Sequence, residues 1–226
     1  MLDLLTPKGR IIEAALKLAE RKPWNEIVLD DVAREAGVPL VSLKESFTSK
    51  QDILAAFSRL VDDEVLRRVH LKHAQDEKRR DRLFDVIMTR FDVLAPYKTA
   101  LRSIIESPSL PSPAMLQQAL GSQHWMLSAA GIGTEGPGGA VRVAGLASVY
   151  GRVMREWLDD SDPGHAKTMA MLDRRLRNGE RWVRSLDDAA SRVRGVLRSL
   201  KGMRRRRRDG DRDVEGGAEP NAAANI

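Results

Sequence analysis

The chain has 226 residues, no cysteine and a formal net charge of +6; it is long enough for one large core or two modest ones, and without thiols it has neither disulfides nor thiolate metal ligands. No stretch alternates with the period of a strand, no apolar run reaches the ~18 residues of a membrane span, and the opening MLDLLTPKGR is too short and, with Asp3, too polar for a signal peptide. A disulfide scaffold and a membrane-spanning protein are thereby set aside, and the expectation is an all-α, cytoplasmic protein of about nine or ten helices.

Thr6 or Pro7 is expected to start a first helix that runs to about Arg21 and stops before Pro23, because a residue preceding proline is pushed out of the helical region. Its apolar face is Ile11, Ile12, Ala14, Ala15, Leu16, Leu18 and Ala19, and Trp24 is expected to pack on the same core. The stretch from Val28 to Phe57, VLDDVAREAGVPLVSLKESFTSKQDILAAF, then reads as a short helix, a tight turn, a second short helix and the start of a long one. Gly37 suits the left-handed conformation that ends one helix and begins the next. Leu29, Val32, Ala33 and Ala36 recur at helical spacing, as do Val41 or Leu40 with Leu43 and Phe47, so each short helix has an apolar face to be packed on a third element. Thr48 with Gln51 forms a capping-box pattern ahead of the long helix.

The order R-x-I-x-x-A-A-x-x-L, then D-V-A-x-x-A-G-V, then a short helix, then F-x-S-K-x-x-I-L over about Arg10 to Leu60 resembles the N-terminal helix-turn-helix domain of TetR-type transcriptional regulators. The resemblance implies a three-helix head, a helical ligand-binding and dimerisation body, a homodimer, and a double-stranded DNA operator. Carried over position by position, it assigns DNA contact to Ser42, Lys44, Ser46 and Lys50, with Lys50 on the DNA backbone. The chain departs from the family pattern where contact is made. Val28 stands where a Thr or Ser usually caps the first motif helix, Lys44 where a tyrosine usually holds phosphate, and Ser46 where a histidine is usual. Lys44 retains the chemistry to hold a phosphate or a guanine edge. Pro39 is acceptable as the first residue of its helix.

Downstream, Lys50 to about Gln75 reads as one helix, Arg79 to Ala95 as a second and Tyr97 to Glu106 as a short third, followed by a proline-rich loop from Ser107 to Pro113. His70 and His73 lie one turn apart, where a metal site and a solvated face compete, and the solvated face is favoured because only Asp76 and Glu77 are at hand. A helix from about Ala114 to Ala130 precedes GIGTEGPGG, residues 131–139; a phosphate-cradling loop lacks its strand and its Lys-Ser or Lys-Thr there, so an interhelix turn is expected. Ala140 to Leu158, with Ala144, Gly145, Ala147, Ser148 and Gly151 interleaved, is expected to be a central or dimer-forming helix. Asp160 or Asp162 is placed to cap a helix from Pro163 to about Arg181. Met115, Trp125, Met126 and Met169 are the candidate lining of a pocket for a small apolar effector, ordinary core being the competing reading.

A second resemblance covers Trp157 to Leu176. W-L-x-D-x-S-x-D followed by T-x-x-x-L-D-R-R-L, carried by Trp157, Leu158, Asp160, Asp162, Thr168, Leu172, Asp173, Arg174, Arg175 and Leu176, is similar to the lipid-binding coenzyme-Q biosynthesis proteins of TetR-like fold. It implies an alternative function: a lipid-binding accessory protein of ubiquinone biosynthesis whose head no longer binds DNA. The basic amphipathic segment 182–201 fits either an anionic membrane surface or a dimer interface.

Charge is unevenly spread. Residues 1–60 hold nine Lys or Arg against nine Asp or Glu, whereas Arg174 to Arg208 holds fourteen against three. Electrostatic attraction to phosphate is therefore weak in the head and strong near the tail, where Arg204 to Arg208 would bind any polyanion. Residues 203–226 lack periodicity and are expected to be disordered. The chain thus divides into a helix-turn-helix domain over 6–62, a helical ligand-binding and dimerisation domain over 63–202 and a basic tail over 203–226. No catalytic or metal constellation is visible, so no enzyme and no cofactor are expected. The first reading is a ligand-responsive repressor.

Overall fold

Thr6 opens the first helix by accepting a hydrogen bond from the Gly9 N–H (3.0 Å) onto its hydroxyl, with Pro7 in the first turn where its missing N–H costs nothing. The structure, a computed structural model, describes residues 6–70, 78–108 and 112–179, and these are helical with no strand among them. The elements are α1 (Pro7–Arg21), a 3-10 turn at Trp24–Glu26, α2 (Leu29–Ala36), α3 (Leu40–Ser46), α4 (Lys50–His70), α5 (Arg79–Leu94), a 3-10 turn at Ala95–Tyr97, α6 (Lys98–Glu106), α7 (Pro113–Ala129) and α8 (Gly136–Asp159). A further helix, α9, covers 166–179 of the described residues. The all-α expectation is met.

The head is built on α1. Ile11, Ile12, Ala15, Leu16 and Ala19 are buried against α2 and α4, and Val32, Ala33, Leu43, Phe47, Ile53 and Phe57 close the core from the other side. The α2–α3 turn is made as expected: Gly37 adopts φ 65° and ψ 35°, and the Val38 N–H returns to the Ala33 carbonyl at 3.0 Å. Pro39 sits one position earlier than expected, as the extended N-cap of α3 rather than its first helical residue. The cap of α4 also shifts by one. Ser49, not Thr48, accepts from the Asp52 N–H (3.1 Å), and the Asp52 carboxylate reaches back to the Thr48 N–H (3.1 Å).

The body packs α4 on α5 and α7, and α7 on α8. At its centre Phe91 stacks between Tyr150 and Trp157, with ring centroids 5.6 and 5.2 Å away. α8 starts earlier than expected, at Gly136. Pro137 pre-sets the first turn, and the Gly139 N–H bonds the Glu135 carbonyl at 3.2 Å. A Cβ at Gly139 would stand 1.9 Å from the Thr134 carbonyl oxygen, so only glycine allows the chain to double back there. The expected domain boundary at residue 62 falls inside α4, which runs unbroken from head to body within one compact unit ending at Glu180. The remaining segment, including 182–201 and Arg204 to Arg208, lies outside the described residues, as does His73.

Candidate nucleic-acid interface

The residues of α3 and its C-cap Phe47 sort cleanly by face. Leu43 and Phe47 anchor the helix in the head core, Ser42 and Ser46 are half-buried on its flanks, and Leu40, Val41, Lys44 and Glu45 are exposed. Leu40 is 49% and Val41 63% exposed. Val41 stands about 160° around the helix from Leu43, so it cannot share that core face; Leu40 points the right way but lies at the first turn, beyond the edge of its support. The sequence reading placed one of the two on the packing face, and the structure places neither there. At about 1.5 Å per residue, α3 is roughly 10 Å long. Its outward face is an apolar first turn followed by Lys44.

Beside this face opens a groove of about 570 Å³ lined by Lys8, Lys44, Ser46, Thr48, Arg59 and Gln118, among others. Lys44 and Ser46 of the four expected contact residues meet there, together with Lys8 and Arg59, which the sequence reading had not linked to the motif because they are distant along the chain.

Lys50 is held differently. Its ammonium donates to the main-chain carbonyls of Trp24 (2.7 Å) and Ile27, and lies 5.1 Å from the centroid of the Trp24 ring. Burial pushes the Lys50 pKa down, and the neighbouring Lys22 charge adds to the effect. Lys50 therefore clamps the start of α4 to the α1–α2 connection. In this geometry its donors serve the protein's own backbone.

The same connection is tied at two more points. Asp31 accepts from Lys22 Nζ (2.6 Å) and from the Val28 N–H (3.2 Å), and these bonds hold its carboxyl below the usual range, Lys22 contributing most. Val28 offers no side-chain acceptor to α2, so only this returning half of a cap is present. From the body, the Ser103 hydroxyl of α6 accepts from the Trp24 N–H (3.1 Å) and donates to the Lys22 carbonyl (3.4 Å).

The candidate effector residues do not share one environment. Met126 is 2% exposed in the core and Met115 packs against it, whereas Trp125 is 52% exposed and Met169 lies on the outer face of α9. The residues of the second resemblance make the α8–α9 corner. Trp157, Leu158, Leu172 and Leu176 are buried, and Asp160 accepts from the Thr168 N–H (3.1 Å) and hydroxyl (2.8 Å). Asp162 accepts from the Ala166 N–H at 2.9 Å, so both aspartates meet N–H groups in the first turn of α9, which starts at 166 and not at the expected Pro163. Among the described residues no group of three or more His, Asp or Glu side chains is arranged to hold a metal ion, and no helix is long and apolar enough to cross a membrane.

A three-helix head with a glycine turn, a buried Leu-Phe anchor and an outward second helix defines a helix-turn-helix protein. Residues 11–57 match the family model of the bacterial regulatory proteins, tetR family, and the head is a TetR-type domain. The described chain as a whole has the fold of such regulators. A TetR transcriptional regulator from Nitrosomonas europaea ATCC 19718 superposes with a TM-score of 0.59 at 21% identity, over 75% of this chain and 95% of that one. One from Rhodococcus sp. RHA1 gives 0.55 at 20%, over 76% and 93%, and one from Streptomyces coelicolor gives 0.52 at 16%, over 83% and 95%. No curated protein sequence matches the chain.

Proposed function

We propose that the chain acts as a homodimeric, ligand-responsive transcriptional repressor that places α3 in the major groove of an operator. The observation that carries this reading is the sorting of α3 inside a TetR-type head: its core face is fully used by Leu43 and Phe47, which leaves Lys44 and its neighbours free to meet DNA. Lys44 is assigned a phosphate or guanine contact, and Ser42 and Ser46 flanking contacts to the backbone. Lys50 is assigned the positioning of α4 against the head. An apolar effector would enter the body beside Met115 and Met126, the two candidates turned toward the core.

The coupling from body to head is assigned to α6. Lys98 and Arg102 bond the carbonyls of Asp160 (2.6 Å) and Leu158 at the C-terminal end of α8, while Ser103 bonds the α1–α2 connection. A displacement of α8 would thus reach the segment on which α2 is mounted.

The lipid-binding reading draws on the balanced charge of the head, on Val28 and on Lys44 in place of the usual tyrosine. Of the residues that suggested it, Trp157, Leu158, Asp160, Thr168 and Leu172 serve the α8–α9 corner, a role that needs no lipid. A gel-shift with DNA from around the protein's own gene separates the two. Selective, salt-sensitive binding that is lost in Lys44→Glu is expected; co-purified isoprenoid lipid, vesicle binding and no preferred duplex would contradict the regulator reading.

A further inference from the structure

We propose that Leu40 and Val41 read thymine methyl groups, so that this protein's operator is specified in part by apolar contact. The inference rests on the regulator reading above and adds to it a specificity determinant. Both side chains project from the first turn of α3, about half and nearly two-thirds exposed, Val41 on the side away from the Leu43 anchor and Leu40 beyond the edge of the head core. Neither supports the head core, so their presence there has no packing explanation.

The chemistry of the groove limits what such a face can meet. In the major groove each base pair presents hydrogen-bonding edges, and thymine alone adds an apolar group, its C5 methyl. A β-branched valine and a leucine have no donor or acceptor for the other edges, and against G or C they would cover polar atoms without pairing them. Lys44 lies on the same face, one turn after Leu40, and anchors it beside a phosphate or guanine. The head holds as many acidic as basic residues, so general attraction to phosphate contributes little and selective contacts must carry more of the binding. Glu45, also exposed, opposes close phosphate approach on the far side of Val41.

The test uses the full-length protein and duplexes that it selects from a random-sequence pool. Each thymine of the selected site is replaced by deoxyuridine, which removes the methyl group and leaves the pairing edge intact. Replacement of at least one thymine per half-site is expected to weaken binding about four-fold, the factor that corresponds to one buried methyl-sized group. In Val41→Ala or Leu40→Ala, variants whose truncated side chains leave the core untouched, that difference is expected to shrink toward unity. A selected site that tolerates every deoxyuridine within two-fold, or a methyl effect that persists in both variants, overturns the inference and leaves the regulator reading standing. Failure to select any sequence overturns both.

Discussion

At the level of single residues, the most consequential group is Arg90, whose guanidinium is buried in the body. It donates to Asp62, to the Tyr150 hydroxyl (3.0 Å) and to the Ser58 hydroxyl (3.3 Å), and Asp62 also accepts from the Ser122 hydroxyl (2.7 Å). Two buried charges gain little over an apolar pair, but removing one leaves the other stranded. Arg90→Met is therefore expected to destabilise the protein by about 3–5 kcal/mol, and the double variant Arg90→Met with Asp62→Leu to recover most of the loss, as read from urea denaturation midpoints. This pair was invisible in the sequence: the two residues stand 28 positions apart and look like ordinary polar positions of two amphipathic helices. By contrast Leu43 and Phe47 were legible, since a spacing of four on a short helix marks a shared face. Leu40 and Val41 misled for a complementary reason: hydrophobicity signals burial only where a supporting surface extends far enough.

At the level of elements, most helices could be read from their punctuation. Thr6 with Pro7, Gly37 and Pro96 each mark a start or stop that the structure keeps, whereas α7 starts one residue earlier than expected, at Pro113, with the Ser112 hydroxyl accepting from the Met115 N–H at 3.2 Å. The shift of one residue at α4 arose because the neighbouring Thr48 and Ser49 are chemically equivalent as caps. The α8 start was missed because glycines resemble a turn until Pro137 fixes a helical φ. α2 offers the sharpest test at this scale. Val28 occupies the N-cap without an acceptor, so Val28→Thr is expected to raise stability by about 1 kcal/mol, measured by the same denaturation. No gain, or a loss, would mean that the exposed Val28 side chain contributes packing that threonine cannot replace.

For the molecule as a whole, folding stability at low pH is set by carboxylates that the fold holds ionised. Asp31 is held below its ordinary value of 3.8 by Lys22 and the Val28 N–H, Asp52 by Thr48, and Asp160 by the Thr168 hydroxyl and N–H. Each lowered group contributes stability that is complete above 3.8, the unfolded value, and is lost as the pH falls through the folded value. Thermal midpoints are expected to be insensitive to these three groups between neutrality and that value and to drop below it, with Asp160→Ala flattening part of the acid limb. The fold class and the head were legible because periodicity and one glycine turn are local properties. The α6 bridge was not, because it depends on Ser103 meeting Trp24 across 79 positions of sequence.

The central claim is that α3 presents one outward face to duplex DNA, once from each subunit of a dimer. Hydroxyl-radical footprinting of the full-length protein on its selected duplex tests this most directly. Two symmetry-related protected segments on one side of the helix, both erased by Lys44→Glu, are the expected result. Uniform protection without a preferred position, or a footprint that Lys44→Glu leaves unchanged, would contradict it.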